Sequence, residues 1–488
     1  TYANPWATLS FACTQAIVPG DVIHVKAGTI TETAQSALAV GVSIMGAGAT
    51  SILKYTYANS TWSNACIKLE SATEGTLGNQ SISHLKIDGN KTAYHGILVG
   101  RRSNVSLHDL VMVDFRYNAI NIRGSYVNET EPTIYATNNK IYNCSITNCS
   151  VKAYVGGASG DGQVRFSFQD GILVHDNIFD NTLAAAGTAA NNLDLKLGYN
   201  KNMQFYNNKS YKPDHNGADW NIHIESWDGM GGNHIYDNEF WGGGMQIDIG
   251  GHFNIKGTSD YSFLVENNLF TDTTQKAYVS GLFGCGIAIE GDTRDVIVRR
   301  NYFSNIGKGI GINASEYADP VRIYDVIRVN INYNIFENIG YTNENSWNIE
   351  LVSESANAVV EDIYIDNNVM ISNPSIQSEA GLFIMPKGTM SNIRLRNNII
   401  QGMRFAPIYL YYYTGQVSNL YNQNNILYNN GNSNLILYAT TPPIINYVVS
   451  DTLMTDPLFV GGSPYDYHLQ AGSPCINAGI DVGLTTDY

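Results

Sequence analysis

The sequence predicts an all-β chain that folds as a right-handed parallel β-helix of about 10–12 coils, with an N-terminal capping helix and a C-terminal cap. Two observations predict this fold. A short phrase, two polar residues ending in Asn and followed by an apolar pair, recurs nine times along the 488 residues, and runs of alternating polar and apolar residues accompany it. Alternation with period two is typical of β-strands, and recurrence at a near-constant interval is typical of a solenoid.

The repeated asparagine sets the length of one coil. Successive copies are 31, 30, 30, 33, 33, 34, 30 and 27 residues apart. Asparagine tolerates the left-handed backbone conformation that a bend between two sheets requires, and its amide can hydrogen-bond the asparagines of the coils above and below. We therefore interpret these residues as structural and not as ligands. They are Asn177, Asn208, Asn238, Asn268, Asn301, Asn334, Asn368, Asn398 and Asn425.

The two ends of the chain differ from its middle. We predict one domain over residues 1–488, with the N-terminal cap and first coil at 1–50, the coils at 51–450 and the C-terminal cap at 451–488. Apolar residues at helical spacing between Trp6 and Ile17 predict a helix that plugs the first coil. Such caps are needed because an open end exposes apolar core and unpaired strand edges.

Composition excludes several classes of partner. A formal net charge of −15, without a run of Lys and Arg, excludes nucleic acid. The sequence contains no stretch of about 18 apolar residues, so no membrane span is predicted. The N-terminus lacks a basic segment followed by an apolar one, so we expect Thr1 to follow a removed or missing leader of a secreted, extracellular or periplasmic, monomeric protein.

The cysteines do not have metal-ligand spacing, and no metal site is predicted from them. Two alternatives stay open: one disulfide, Cys144 with Cys149 or Cys13 with Cys66, or buried free thiols. The six cysteines are Cys13, Cys66, Cys144, Cys149, Cys285 and Cys475.

Both ends of the chain resemble those of a known group of proteins. The opening NPWATLSFACTQAIVPGDVIHVKAGTITET and the closing DPLFVGGSPYDYHLQAGSPCINAG look like the ends of secreted bacterial right-handed parallel β-helix proteins, the pectate-lyase-like superfamily. This resemblance covers the whole chain at the level of fold. It implies a group rich in polysaccharide lyases and glycoside hydrolases, whereas the chemistry must be argued from the site.

Charged side chains converge on one predicted face in the middle coils. Aligning one strand per coil on its apolar pairs places alternate residues outside the core, and titratable groups fill this outer column in the central coils. We interpret the face as a functional groove; the alternative is a stacked salt-bridge network, with Lys196 against Glu225. Its members are Arg123, His175, Asp194, Lys196, His223, Glu225, Asp248 and Glu290.

Aromatic and loop residues next to these strands extend the predicted groove. Trp220 and Trp227 bracket the strand that carries His223 and Glu225, and exposed rings stack on sugars. The loops add further polar groups, since loops on a rigid scaffold commonly carry binding residues. These are His215 and Asp219 before the Trp220 strand and His252 after Asp248.

Glycoside hydrolysis is the chemistry that the acids favour, because it needs one carboxyl as acid and another as base or nucleophile. We predict Glu225 as the acid and Asp248 as the base or nucleophile. His223 would orient them, and Asp194 is the alternative carboxylate.

Two other classes of function stay open. In a polysaccharide lyase, Lys196 or His223 would be the base, and Arg123 or a bound Ca²⁺ would neutralise the enolate. In a non-catalytic solenoid, such as an adhesin, the groove would only bind glycan. The basic residues lie on the N-terminal side of the acids, which favours an anionic, sulfated or uronic polysaccharide as the partner. The hydrolase itself is predicted to need no cofactor.

Overall fold

The computed structural model of the chain describes most of its residues. The described ranges are 5–58, 63–124, 132–150, 162–182, 192–194, 199–212, 220–226, 231–251, 263–271, 284–291, 293–314, 325–340, 346–372, 378–411, 414–432, 435–438, 444–461 and 466–484.

Two compact units make up the chain. Unit 1 comprises Thr1–Gly243 with Ile255–Ser259, and unit 2 comprises Gly244–Asn254 with Asp260–Tyr488. Each unit is a stack of parallel β coils, so the predicted all-β parallel β-helix is confirmed. A single continuous domain over residues 1–488 stays a prediction.

Unit 1 contains a short helix followed by strands. These are α1 (Leu9–Gln15), β1 (Val22–Val25), β2 (Gly28–Glu32), β3 (Ser36–Ala37), β4 (Ser43–Gly46), β5 (Ser51–Tyr55), β6 (Ile67–Glu70), β7 (Thr76–Asp88), β8 (Ile97–Gly100), β9 (Arg102–Val113), β10 (Ile120–Arg123), β11 (Ala136–Thr137), β12 (Lys140–Tyr142), β13 (Ser145–Thr147), β14 (Val164–Phe166), β15 (Gln169–Asp170), β16 (Leu173–His175), β17 (Ile178–Asp180), β18 (Leu193–Asp194), β19 (Asn200–Lys201), β20 (Gln204–Tyr206), β21 (Lys209–Tyr211), β22 (Trp220–Ser226), β23 (Asn233–Tyr236) and β24 (Glu239–Trp241).

Unit 2 contains strands alone among its described residues. These are β25 (Met245–Gly251), β26 (Phe263–Glu266), β27 (Leu269–Thr271), β28 (Cys285–Gly291), β29 (Thr293–Arg299), β30 (Tyr302–Ser304), β31 (Lys308–Ala314), β32 (Val326–Asn332), β33 (Ile335–Glu337), β34 (Trp347–Ser353), β35 (Val359–Asp366), β36 (Val369–Ile371), β37 (Ala380–Pro386), β38 (Thr389–Arg396), β39 (Ile399–Gln401), β40 (Ala406–Tyr411), β41 (Gln416–Gln423), β42 (Ile426–Tyr428), β43 (Leu435–Tyr438) and β44 (Ile444–Ser450).

Most of the parallel strands belong to two large sheets. The second sheet consists of β3, β6, β8, β10, β14, β18 and β22 in unit 1, and of β25, β28, β31, β34, β37, β40 and β43 in unit 2. The other strands form the asparagine sheet, except β11, β15 and β19, which form a small third sheet in unit 1. Every strand pairs with its counterpart about one coil away, as in β28 with β31, where Ile287 is opposite Ile310.

The predicted asparagine ladder is confirmed within both units. In unit 2 the amide of Asn301 donates to Oδ1 of Asn334 at 3.0 Å, and Asn334 donates to Asn368 at 3.1 Å. The same oxygen of Asn334 also accepts the backbone N–H of Asn301. Each ladder asparagine is buried, so its amide satisfies backbone groups that water does not reach.

The left-handed conformation belongs to a different residue from the one predicted. The residue before each ladder asparagine has the positive φ, such as Asn207 (φ 52), Asn367 (φ 57) and Tyr333 (φ 56). The ladder asparagine itself continues into the next strand. The bend therefore divides its two requirements between neighbouring residues: one turns the backbone, and the next supplies the buried amide.

Stacked rings fill the interior of each unit. In unit 2, Phe270, Phe303 and Phe336 stack with centroids 4.7 and 4.8 Å apart. Gly309 sits against this column, since a Cβ there would lie 2.5 Å from the ring of Phe336. Both Gly309 and its neighbour Ile310 thus face inward, which interrupts the alternation at the start of the strand.

Helix α1 covers apolar core near the N-terminus, as the sequence predicts, although it is shorter than the segment Trp6 to Ile17. Leu9, Ala12 and Cys13 are its buried residues. The buried carboxylate of Glu32 accepts the backbone N–H groups of Leu9 and Ser10. Negative charge at the first turn of a helix is favourable because free N–H groups point toward it.

The cysteines are free thiols, so neither predicted disulfide forms. Burial raises the pKa of Cys144 to about 12. The five buried thiols behave as small apolar core residues, whereas Cys475 is half-buried. Among the residues that the structure describes, no helix combines the length and apolar character that crossing a bilayer requires.

Candidate functional site on the outer face of the second sheet

Strand register brings the predicted column of outer residues together within each unit. In unit 2, Asp248 is opposite Ala288, Ala288 is opposite Gly311, and Gly311 is opposite Glu350. The column continues through Phe383 to Tyr409. Because the flanking isoleucines and leucines of these strands are buried in the core, this column lies on the outer face of the sheet.

The corresponding column of unit 1 differs from the prediction in one coil. Its registered members are Leu98, Asn121, Arg165, Asp194 and His223, in that order. Arg165 on β14 therefore occupies the place that the sequence alignment gave to the run ending at His175.

The placement of His175 on this face was wrong. His175 ends β16 in the asparagine sheet, where it stacks on Tyr142 and Tyr206 with centroids 5.1 and 4.7 Å away. Its Nδ1 lies 2.6 Å from the carboxylate of Asp176. The run 172–175 alternates as strongly as a strand of the second sheet, so alternation alone did not distinguish the two sheets.

Two acidic side chains of unit 2, Asp248 and Glu290, approach the same backbone position. A Cβ built on Gly250 would lie 4.0 Å from Oδ1 of Asp248 and 3.3 Å from Cγ of Glu290. Since both distances start from one point, Oδ1 of Asp248 lies no more than 7.3 Å from the Cγ methylene that carries the carboxyl group of Glu290. Asp248 is 2% exposed, whereas Glu290 is partly exposed. A Cβ at position 250 would crowd the side chain of Glu290, so glycine lets both side chains approach this point of the backbone.

A buried ion pair lies on the same face. Nζ of Lys308 is 2.6 Å from Oε2 of Glu350, and both side chains are nearly inaccessible. Burial raises the pKa of Glu350, and the ammonium of Lys308 opposes this shift. Cys285 is opposite Lys308 in register. Burial is the largest cause of the raised pKa of its thiol. The charges of Asp248, Glu290 and the Lys308–Glu350 ion pair also act on that thiol.

Small and aromatic residues shape this face of unit 2. Ala288 and Gly311 separate Asp248 from Glu350 along the column, so little side-chain volume stands between the two acids. Beyond Glu350, the ring of Phe383 stacks on Trp347 at 4.2 Å and is 5.8 Å from Tyr409. Trp347 is buried, whereas Tyr409 is partly exposed.

Basic residues dominate the described part of this face in unit 1. Glu70 binds Nζ of Lys68 at 2.6 Å and Nη2 of Arg123 at 3.3 Å. Although burial opposes the shift, the two cations hold the pKa of Glu70 below its usual range. Arg165 is partly exposed. It lies on β14 in the same column as Leu98 of β8, with β10 between the two strands.

His95 lies beside this basic patch. It immediately precedes Gly96, where a Cβ would lie 2.8 Å from the side chain of Met112 in the core. Because Gly96 faces inward, the preceding residue His95 is directed toward the outer side of the sheet. Burial, followed by the charges of Arg123 and Arg165, lowers the pKa of His95 to about 3. The imidazole is therefore neutral at physiological pH.

Several predicted site residues are placed by their backbone alone. Asp194 lies in β18, and Trp220, His223 and Glu225 lie in β22; all four are in the second sheet of unit 1. Glu225 and Asp248, the predicted catalytic pair, thus belong to different units. Five other predicted residues lie outside the described ranges: Lys196, His215, Asp219, Trp227 and His252.

Sequence reasoning missed several ionisable groups among the described residues of this face, for three different reasons. His95 and Lys308 precede strands that begin with two consecutive inward residues, Gly96–Ile97 and Gly309–Ile310. Arg165 lies in a strand of only three residues. Lys68 and Glu70 were omitted because the alignment began one coil later, at β8. The glycine at the start of each of these two strands is the sequence signal that would have identified His95 and Lys308.

The fold defines a parallel β-helix, and within each unit ionisable groups lie on the outer face of the second sheet. Comparison with solved structures finds other β-helical proteins. A surface adhesin of Streptococcus pneumoniae, PfbA, is 15% identical, with a TM-score of 0.45 over 90% of this chain and 90% of that chain. The catalytic unit of a GH87 α-1,3-glucanase from Streptomyces thermodiastaticus is 12% identical, with a TM-score of 0.39 over 92% and 65%.

An alginate lyase from Paenibacillus sp. FPU-7 is 13% identical, with a TM-score of 0.35 over 74% of this chain and 91% of that chain. At these values the likenesses assign neither an activity nor a substrate to this chain. No protein-family model matches the sequence, and no curated protein matches it.

Proposed function

We propose that the protein is a secreted, monomeric enzyme that hydrolyses a polysaccharide with paired carboxyl groups on the outer face of the second sheet. The observation that carries the proposal is the pair Asp248 and Glu290, whose side chains both approach the backbone at Gly250. Glycosidases use carboxyl separations of about 5 to about 9.5 Å. Oδ1 of Asp248 lies no more than 7.3 Å from the Cγ methylene of Glu290, which permits a carboxyl separation within that range.

Asp248 is the proposed base or nucleophile. Its partner, the acid, has two candidates. Glu290 lies beside it within unit 2 and is partly exposed, while Glu225 is the acid that the sequence predicts, with His223 as its orienting neighbour and Asp194 as the alternative carboxylate. Substituting each candidate by its amide keeps its size and removes its proton chemistry, so the two assignments are separable.

The proposed substrate is anionic, sulfated or uronic. Lys68, Arg123 and Arg165 place positive groups on the same face in unit 1. Guanidinium groups bind carboxylate and sulfate through paired hydrogen bonds. The remaining predicted binding residues, Trp220, Trp227, His215, Asp219 and His252, are proposed to extend the groove.

Elimination of a uronate is the second candidate function, and one observation favours it. Arg165 is directly opposite Asp194 in register, so a guanidinium lies one strand from the centre of the predicted acidic column. It could neutralise the developing enolate, with His223 or Lys196 as base and a bound Ca²⁺ as a further possible neutraliser. Arg165 lies one strand nearer to Asp194 than Arg123 does.

A panel of neutral, uronic and sulfated polysaccharides tests the proposal, with reducing ends and ultraviolet absorbance of unsaturated uronate measured together. Hydrolysis predicts reducing ends without ultraviolet absorbance. Glu290→Gln is expected to lower kcat at least about 100-fold if Glu290 is the acid. Glu225→Gln provides the same test for Glu225.

Asp295→Asn is the matched control, because Asp295 forms an exposed ion pair with Arg328 on the asparagine sheet of unit 2. Ultraviolet-absorbing products would establish elimination instead. Binding of a glycan with no cleavage of any member of the panel would overturn catalysis and leave a binding solenoid.

A further inference from the structure

We propose that His84, His108 and Asp109 form a binding site for one divalent transition-metal ion, Zn²⁺ by preference, on the asparagine sheet of unit 1. The candidate ligand atoms of the three side chains all lie within 4.8 Å of one another. Nδ1 of His108 is 2.7 Å from Oδ2 of Asp109, and Nε2 of His84 is 3.6 Å from the same oxygen. The site is separate from the outer face of the second sheet.

Strand pairing brings the three residues together from two coils. In the pairing of β7 with β9, Ser83 is opposite His108 and Leu85 is opposite Leu110. His84 and Asp109 lie between these pairs, and both have left-handed backbones, with φ values of 57° and 52°. Such a corner turns the side chain away from the regular alternation. The carboxylate of Asp109 can therefore lie beside the imidazoles on either side of it.

Two imidazoles and one carboxylate suit zinc better than calcium. Ca²⁺ takes six to eight oxygen ligands, whereas Zn²⁺ binds His nitrogen and carboxylate oxygen at about 2.0–2.2 Å in a tetrahedron. Ligand atoms of such a tetrahedron are about 3.4 Å apart. The distances from Oδ2 of Asp109 to Nδ1 of His108 and to Nε2 of His84 lie on either side of this value. His84 is 47% exposed and has room to adjust, and the fourth position would be left to water.

The ring of His108 is held in place by a stacked neighbour. Tyr142 of the next coil stacks on it with centroids 4.7 Å apart and an interplanar angle of 3°. His84 meets His108 edge to face at 5.6 Å. Fixed ring orientation lowers the entropy that a ligand loses on binding the metal.

A His–Asp pair alone does not define such a site, and the chain supplies the comparison. Two coils further along, His175 and Asp176 form the same pair at 2.6 Å, with Asp176 also left-handed (φ 57). The left-handed corner of the intervening coil is Asn143, where the coil before Asp109 has His84. The third ligand is what distinguishes the proposed site.

Metal-free protein, prepared with a chelator, tests the proposal by calorimetric titration with Zn²⁺ and by visible absorption with Co²⁺ as a spectroscopic probe. The variants are His84→Asn and Asp109→Asn, because Asn accepts the left-handed backbone at both positions. His175→Asn is the matched control. Wild type and the control are expected to bind one more equivalent of zinc than either test variant, or to bind it at least about tenfold more tightly.

Loss of the intense Co²⁺ absorption of a four-coordinate site in the two test variants, with circular dichroism unchanged, would support the assignment. Equal zinc stoichiometry and affinity in all four proteins would overturn it. If one variant fails to fold, the other still decides, since the two substitutions lie on different strands.

Discussion

A buried histidine on the outer face of unit 1 makes the stability of the fold depend on pH. Burial and two neighbouring arginines lower the pKa of His95 to about 3, whereas an unfolded histidine has a pKa of about 6.5. As the pH falls, the unfolded chain therefore takes up the proton first. The contribution of His95 to stability is complete above about pH 6.5 and is lost as the pH falls toward about 3.

We expect the free energy of unfolding of the wild type to decrease by about 2 kcal/mol more than that of His95→Gln between about pH 7.5 and about pH 5. Urea unfolding at the two pH values measures this difference. Carboxylates that titrate elsewhere affect both proteins alike, so the comparison isolates the imidazole. Parallel losses in the two proteins would show that His95 does not hold a lowered pKa.

At the scale of the residue, the sequence predicted the hydrogen bonds of a side chain well where that side chain has a single role. The asparagine ladder followed from the amide group and the repeat length, and Asn334 forms the bonds expected. The left-handed turn was assigned one residue too late, because Asp, Asn, Arg and even Tyr occupy the preceding position. With such varied residues there, composition carries no signal of a positive φ.

At the scale of the element, the buried pair Lys308 and Glu350 connects β31 to β34. Removing one partner leaves a charge in a site that water hardly reaches, and such losses typically cost about 3–5 kcal/mol. We expect Lys308→Met to lower the free energy of unfolding by about this amount. The double variant Lys308→Met/Glu350→Leu should recover most of it, since an apolar pair needs no counter-ion.

Urea unfolding followed by tryptophan fluorescence measures these changes. Arg328→Met is the matched control, because Arg328 pairs with Asp295 at the surface of the same unit, where an ion pair contributes less than about 1 kcal/mol. A loss for Lys308→Met no larger than for Arg328→Met would contradict the role given to burial.

Register was the part of the elements that sequence predicted best. Once strands are aligned on apolar pairs, every second residue must leave the core, so the columns through Asp194 and Asp248 were placed correctly within their units. The coil of Arg165 was missed because its strand has only three residues. There the stronger alternation of 172–175 belonged to the asparagine sheet.

At the scale of the whole molecule, a net charge of −15 repels anions, so an anionic glycan must be held by local positive groups. We expect binding of a uronic polysaccharide to weaken as the salt concentration rises from about 50 to about 200 mM, because salt screens these contacts. Arg165→Gln should weaken binding at low salt and reduce the salt dependence. Calorimetric titration of variants carrying Asp248→Asn, so that glycan is not consumed, measures both.

Arg328→Gln serves as the control for a lost surface charge on the other sheet of unit 2. Equal effects of the two arginine substitutions would show that overall charge, and not the basic patch, governs binding. Affinity for uronic glycan that is independent of salt would contradict an anionic substrate.

Sequence predicted the architecture of the whole molecule more fully than its site. Repeats and alternation report strands directly, whereas the approach of two acidic side chains depends on small local features such as the glycine at position 250. The neutral state of His95 and the burial of Lys308 depend on packing that no single strand reveals.

The central claim, that carboxyl groups on the second sheet cleave a glycan, is tested most directly by one ratio of rates. Reducing-end release by Asp248→Asn is compared with that by Asp295→Asn on a polysaccharide that the wild type cleaves. We predict that Asp295→Asn matches the wild type and that Asp248→Asn is slower by at least about 100-fold. Equal rates for the two variants would contradict the assignment of Asp248 and the site built around it.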